Sequence, residues 1–314
     1  MNEHNFLFDV LDQVGLIYYQ ELNISYLAAL SEINNNLNNN LYNEKISDEL
    51  KKKLEFIYKP LLNKDYSKES LRFALELYSI KGLKHLNYSK FLMTPDFVNY
   101  IFAIIVNELF QVQELTILDP NLGTANLLAT IANNYNGELK LVGIDFDHVL
   151  VNLGSSFLSL LQYYNQIYFQ DTFMSINLQA DLIVSDLDQY LANEVPIIEE
   201  YDLDNYQYLV ILKHLENLKE YGYFIYLVDN DFFSKDYKKF QEYINVDARV
   251  LGVIRLPEEL TQEEHLGKSI IIGKKTKENI EDIKLVQFSG LGAIEIKASI
   301  NKIKTLIKSI KENK

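Results

Sequence analysis

"TILDPNLGTANLL", Thr116 to Leu128, decides the fold. It opens as an apolar strand ending on an acid, Asp119, passes through Pro120 and a single Gly123, and continues as an apolar stretch at helical spacing. Strand, tight turn and helix start in that order bring backbone N–H groups and the positive end of a helix against a ligand. The stretch reads as the docking loop of a small polar molecule.

Outward from the loop, short apolar runs recur at 115–118, 139–144, 166–169, 180–184, 222–228, 250–256 and 269–272, the first five separated by helical stretches. Continuous apolar strands alternating with helices predict a parallel sheet covered on both faces. The last two runs are joined by a loop rather than a long helix, so one strand is expected to be antiparallel. Ligands in such open sheets bind at the carboxyl ends of strands where the winding reverses.

Those ends are acidic. Asp119 follows the first run, Asp145 and Asp147 the second, Asp171 the third, and Ser185-Asp186 closes the fourth. Each Asp alone fits a helix cap or a turn. Together they favour a ligand rich in hydroxyl and amino donors, because buried carboxylates are costly unless hydrogen-bonded. Asp145 lies 26 residues past Asp119, about the spacing at which a carboxylate takes ribose hydroxyls. A nicotinamide dinucleotide is disfavoured, since its loop needs three glycines and this one has only Gly123; the lysine of a P-loop is missing too.

Residues 5–87 carry helical periodicity, as in Phe6, Val10, Leu11, Val14, Ile17 and Tyr18, with almost no strand-like alternation. Three parts are expected: a helical N-terminal domain over 1–89, a sheet domain over 90–290 and a basic helix over 291–314. "NNNLNNNLYNEK", residues 34–45, reads as a turn or frayed helix joint, because Asn side chains compete for backbone hydrogen bonds. Thr94 is placed as an N-cap, with Pro95 as first helical residue.

Composition bounds the chemistry. The 314 residues contain no cysteine, which excludes disulfides, Cys-liganded zinc and a thiol nucleophile. The beginning lacks the basic start and apolar run of a signal peptide, and no apolar run approaches about 18 residues. A cytoplasmic location and no membrane are expected. Five histidines show no metal-ligand spacing, so no metal site is expected and each histidine reads as a surface or capping residue. Most of the 22 Tyr and 17 Phe read as packing. A net charge of −14 disfavours free DNA binding, which depends on neutralising phosphates. Lys297 to Lys314 holds six lysines against one glutamate, and is expected to form an amphipathic helix with Ile300, Ile303, Ile307 and Ile310 inward.

The segments "ILDPNLGTANLL", "GIDFD", "FQDTF", "VSDLDQY" and "VIRLPEELTQEEHLGKSIIIGKK" resemble the successive motifs of the N6-adenine DNA methylase family. The likeness is to its YtxK-type branch, related to type I restriction-modification methylase subunits, and covers roughly residues 83–275. The resemblance implies a Rossmann-like class I methyltransferase sheet, mostly parallel with one antiparallel strand, and S-adenosylmethionine as cofactor. It implies that Thr94 and Pro95 cap the methionine carboxylate, and that Asp119, Pro120, Gly123 and Thr124 form the loop under the methionine end. Asp145 then holds the ribose hydroxyls with Asp147 beside it, and Asp171 accepts from the adenine amino group. Ala125 stands where the family loop usually has a second glycine.

The catalytic motif departs from the pattern. Active amino-methylases of this kind end the fourth strand in Asn/Asp/Ser-Pro-Pro-aromatic, whose first side chain and following carbonyl accept from the target amine while the ring stacks on the flipped base. Here the strand ends Ser185-Asp186-Leu187-Asp188-Gln189-Tyr190. Asp186 matches the first position, Leu187 and Asp188 replace the prolines, and Tyr190 is the candidate aromatic one place late; Ser185, Asp186 and Tyr190 are the catalytic candidates. About 40 residues follow Lys275, too few for a target-recognition domain. Readout of DNA must then come from a partner, from the N-terminal helices, or not occur, and the expectation is that recognition, if any, is supplied by a protein partner. The segment 255–269 is a candidate lid or a plain surface loop. Two alternatives stand beside adenine methylation: a cofactor-binding regulatory or interaction protein without turnover, and a methyltransferase of another substrate.

Overall fold

The computed structural model describes residues 2–63, 65–88, 93–187, 201–234, 236–260, 267–278 and 283–312. Four helices come first: α1 (Glu3–Leu22), α2 (Ala29–Asn39), α3 (Asp48–Asn63) and α4 (Lys68–His85). After α5 (Asp96–Leu109) the alternation begins, with β1 (Leu115–Asp119), α6 (Asn126–Asn134), β2 (Leu139–Asp145), α7 (His148–Leu160), β3 (Asn165–Phe169) and β4 (Ala180–Asp186). It continues through α8 (Tyr206–His214), β5 (Leu218–Asp229), α9 (Tyr237–Ile244), β6 (Ala248–Arg255), β7 (Lys268–Lys275), β8 (Lys284–Gln287) and α10 (Ala293–Glu312).

Among the described residues the strands form an eight-stranded sheet in the order β3-β2-β1-β4-β5-β7-β6-β8. β1 with β4, β4 with β5, and β6 with β8 pair parallel, while β7 is antiparallel to both β5 and β6. The expected class therefore holds: a mostly parallel Rossmann-like sheet with one reversed strand, preceded by helices. β8 escaped the sequence reading because four residues, only one of them buried, leave too little pattern.

Contacts group the chain into two compact units, residues 1–94, 122–134 and 143–170 in one, and 95–121, 135–142 and 171–314 in the other. In the first, α1 packs on α2, α3 and α4 through Leu7, Val10, Leu11, Val14 and Tyr18. Leu7 rather than Phe6 faces the core; Phe6 is exposed. α2 also packs on α7 and α4 on α6. Asn133 Nδ2 donates to Glu69 Oε2 at 2.6 Å, and Tyr163 Oη donates to Asn133 Oδ1 at 2.7 Å. The N-terminal helices thus pack on α6 and α7. The Asn-rich segment differs from expectation. α2 runs to Asn39, and Asn40 closes it in the left-handed region at φ 51°. Asn36 is buried and accepts from the Tyr18 and Tyr58 hydroxyls at 2.6 and 2.7 Å, while its Nδ2 donates to the Leu41 carbonyl. The side chain that would compete with the helix is occupied by two tyrosines.

In the second unit α10 packs on α5, β6 and β8. It buries Ile303, Leu306, Ile307 and Ile310, with Ile300 half-buried and Lys302, Lys304 and Lys308 outward. Tyr208 of α8 stacks on Phe240 at 4.5 Å between centroids, with Phe232 edge-on. His214 corrects the expectation of a surface or capping residue. It is fully buried, with Nε2 2.9 Å from Thr172 Oγ1 and Nδ1 3.1 Å from Asn217 Oδ1. Burial depresses its pKa to about 4, which keeps the ring neutral.

Candidate functional site

The loop after β1 is fixed from inside. Leu122 N donates to the Ile144 carbonyl at 2.9 Å. Its side chain is buried where only glycines leave room: a Cβ on Gly143 or Gly154 would come within 2.7 or 2.9 Å of it. That anchor turns the chain so that Gly123 and Ala125 both lie at positive φ, 55° and 64°. Glycine reaches this region freely, whereas an L-residue is strained there by roughly 1–2 kcal/mol.

Asp145 closes β2 beneath this turn. Its Oδ2 accepts from Gly123 N and its Oδ1 from Asp147 N, each at 2.9 Å. Burial raises its pKa, against which the N–H groups of Asp147 and Gly123 support the charged form. A carboxylate offers about four lone-pair sites, so this desolvated group keeps acceptor capacity for hydroxyl donors. Phe146, the next residue, is 67% exposed, an aromatic face left in solvent beside that acid. Sequence reading passed over it; the signal was its place directly after the acid in "GIDFD".

Asp147 has another task. Its Oδ1 caps α7 by accepting from Val149 N at 2.8 Å, and its Oδ2 accepts from Tyr88 Oη at 2.6 Å. Each oxygen thus has one protein donor, as each oxygen of Asp145 has. Thr94 is buried, and its carbonyl accepts from Asn126 Nδ2 at 2.8 Å, which ties the segment before α5 to the start of α6. Thr124 Oγ1 is 3.2 Å from Asn126 Oδ1. α5 begins one residue later than expected: Pro95, at ψ 139°, is the N-cap itself, and Asp96 occupies the first turn. The structure therefore brings Gly123 onto Asp145, joins Asp145 to Asp147, and draws Thr94 and Thr124 to Asn126.

The second group of candidates stands at the ends of β1 and β4. Asp119 is 1% exposed. Its Oδ1 accepts from Ser185 Oγ at 2.6 Å and from Asn121 N at 3.0 Å. Ser185 is fully buried and donates its hydroxyl to Asp119, so it braces β4 to β1. Asp186 ends β4 paired with Lys268 at the start of β7, Nζ to Oδ1 3.1 Å, both side chains mostly buried. Asp171 stands apart on the surface, where its Oδ1 accepts from Phe173 N at 2.8 Å. Tyr190 and Asp188 lie outside the described residues, as do positions 261–266 of the candidate lid.

Two polar residues here were not legible beforehand. Gln207, in the first turn of α8, is fully buried; its Nε2 donates to the Leu187 carbonyl at 2.5 Å and to Asp229 Oδ2 at 3.0 Å. Its Oε1 is buried without a hydrogen-bond partner, a burden of about 1–3 kcal/mol. Asp229 ends β5 and is 1% exposed, a fifth strand-end acid. Nothing near Gln207 in sequence announces its role, because its partners are 20 and 22 residues away. Among the described residues, no group of three or more His, Cys, Asp or Glu is placed to hold a metal ion, and no helix is long and apolar enough to cross a membrane.

A Rossmann-like mixed sheet with acids at consecutive strand ends defines a protein of class I methyltransferase architecture. Comparison with known proteins gives this class particular relatives. Residues 5–83 match the family model of YtxK N-terminal helical domains. The chain is 27% identical over 267 residues, 81% of each protein, to the uncharacterized protein YtxK of Bacillus subtilis strain 168. It is also similar to a solved Listeria monocytogenes protein assigned to the class I S-adenosylmethionine-dependent methyltransferases. That match has TM-score 0.79 and 27% identity, covering 97% of this chain and 99% of that one. The type I restriction-modification methyltransferase subunit of Streptococcus thermophilus shares the fold at TM-score 0.62 and 14% identity, over 98% of this chain and 77% of the subunit.

Proposed function

We propose that this chain binds S-adenosylmethionine and transfers its methyl group to an exocyclic amine, of the N6-adenine type in DNA. The observation that carries the reading is Asp145, a desolvated strand-end carboxylate with acceptor capacity in reserve, held under the turn by Gly123 N. Ribose hydroxyls are the donors it suits. Phe146 offers its ring to the adenine, and Asp171 accepts from the adenine amino group. Asp119, Pro120, Gly123 and Thr124 serve the methionine end, with Thr94 and Pro95 toward its carboxylate. Asp147 supports the site by capping α7. Similarity along nearly the whole chain to the Listeria protein supports the cofactor. The type I subunit points toward DNA, with recognition supplied by a protein partner; a cysteine-free chain suits the cytoplasm.

Asp186 is the acceptor for the target amine in this scheme, relieving positive charge as it develops on nitrogen. One observation favours a second reading. Lys268 already neutralises Asp186, an arrangement suited to a regulatory or interaction protein that keeps the cofactor and does not turn over. Calorimetric titration with S-adenosylmethionine, followed by transfer of labelled methyl to DNA, RNA and protein fractions, separates these cases. A flat titration of folded protein ends both readings. Binding without transfer selects the second, and label in RNA or protein names another substrate. If Asp186 does accept the amine, Asp186→Ala lowers turnover by at least about 100-fold with cofactor affinity nearly unchanged.

A further inference from the structure

The end of β4 carries Asp186, the acceptor proposed for the target amine. It leaves the sheet after Asp186, and neither Leu187 nor Asp188 has a proline's fixed φ to stiffen it. Leu187 is nevertheless fully buried and held at both of its backbone polar groups. Its N–H donates to the Leu227 carbonyl on β5 at 2.9 Å, and its carbonyl accepts from Gln207 Nε2 at 2.5 Å. Gln207 is itself held, since the same nitrogen donates to Asp229 Oδ2 at the end of β5. Its Oε1 stays buried and unpartnered. An apolar side chain at 207 would remove that orphan but take the donor from the buried Leu187 carbonyl, so the donor bonds of Gln207 come at the cost of its own unpartnered oxygen.

We propose that Gln207 is a positioning residue: by bridging the Leu187 carbonyl to the Asp229 carboxylate it fixes the chain just past Asp186, and so sets where the Asp186 carboxylate stands. The bridge supplies by hydrogen bonding the restraint that proline would supply covalently. Its consequence for turnover rests on the methyl-transfer reading above; the restraint itself does not.

The test is amide hydrogen exchange on the full chain, wild type against Gln207→Leu and against the double variant Gln207→Leu, Asp188→Pro. Proline at 188 limits the residue before it to extended conformations, and should restore the restraint by another route. Expected is exchange roughly tenfold faster at the amides of 185–187 in Gln207→Leu, confined to that segment, and slowed again in the double variant. In methyl transfer, Gln207→Leu should lower kcat about 10- to 100-fold with the cofactor Kd within about twofold, and the double variant should recover most of the loss. If circular dichroism finds Gln207→Leu unfolded, Gln207→Asn, too short to span both partners, takes its place. Unchanged exchange at 185–187 overturns the proposal, and so does acceleration spread equally over β4 and β5 or left uncorrected by the proline. A wild-type chain that binds cofactor without turnover sinks the methyl-transfer reading alone, because the exchange result still decides the restraint.

Discussion

Ala125 is the residue where the chain's own chemistry works against its geometry. It sits at φ 64°, two residues after Gly123, and is fully buried. Glycine there would relieve roughly 1–2 kcal/mol of strain and give back about 0.4–1 through the freer unfolded chain. Ala125→Gly should therefore stabilise the protein by about 0.5 kcal/mol in urea unfolding; a clear loss would mean that the buried methyl outweighs the strain. His214 makes a pH prediction. Its folded pKa, about 4, lies below the ordinary 6.5, so between these values the unfolded chain binds the proton and the folded chain does not. Stability on this account is unaffected above about pH 6.5 and falls as pH drops toward 4, by roughly 1 kcal/mol per unit. Urea midpoints at pH 7 and pH 5 should differ more for wild type than for His214→Gln. The strand-end acids were legible because carboxylates closing apolar runs stand out against the pattern. Ser185 as a brace was not, since Asp119 is 66 residues away.

Among the elements, the Asn-rich helix shows how local propensity yields to tertiary bonding. Asparagine is a poor helix former because its amide competes with the backbone, yet α2 holds through Asn39 with Asn36 fastened to α1 and α3 by Tyr18 and Tyr58. Asn36→Ala would strand two buried hydroxyls and free the Leu41 carbonyl. A cost of about 2–4 kcal/mol is expected, read as a lower urea midpoint with helical content retained; a loss below about 0.5 kcal/mol would show that water replaces the amide at little cost. The opposite case is α10, whose isoleucine spacing predicted its buried face, because one stripe of one helix is a purely local property. β7 lies between. A short connection suggested a reversed strand, but its place between β5 and β6 depends on pairings the sequence does not write down.

For the molecule as a whole, charge sets the terms on which DNA could be met. At −14 the chain repels a polyanion at long range, and two α10 lysines are committed nearby: Lys304 to Glu108 at 2.9 Å, and Lys311 to the Glu108 carbonyl. The chain alone should bind a short duplex more weakly than about 1 μM at physiological salt, measured by fluorescence anisotropy. Tight sequence-specific binding without a partner would contradict recognition in trans. What the sequence determined by itself was periodic or covalently contiguous: the alternation that makes a Rossmann-like sheet, the leading helices, the turn between the first strand and the next helix, the acids that end the strands. Tertiary structure alone decided which donors those acids meet. Asp147 meets the start of a helix and a tyrosine, Asp119 a serine, Asp186 a lysine 82 residues distant, and Asp145 the amides of Gly123 and Asp147. A carboxylate's role depends on the few donors within hydrogen-bonding reach, and only folding brings together donors so far apart along the chain.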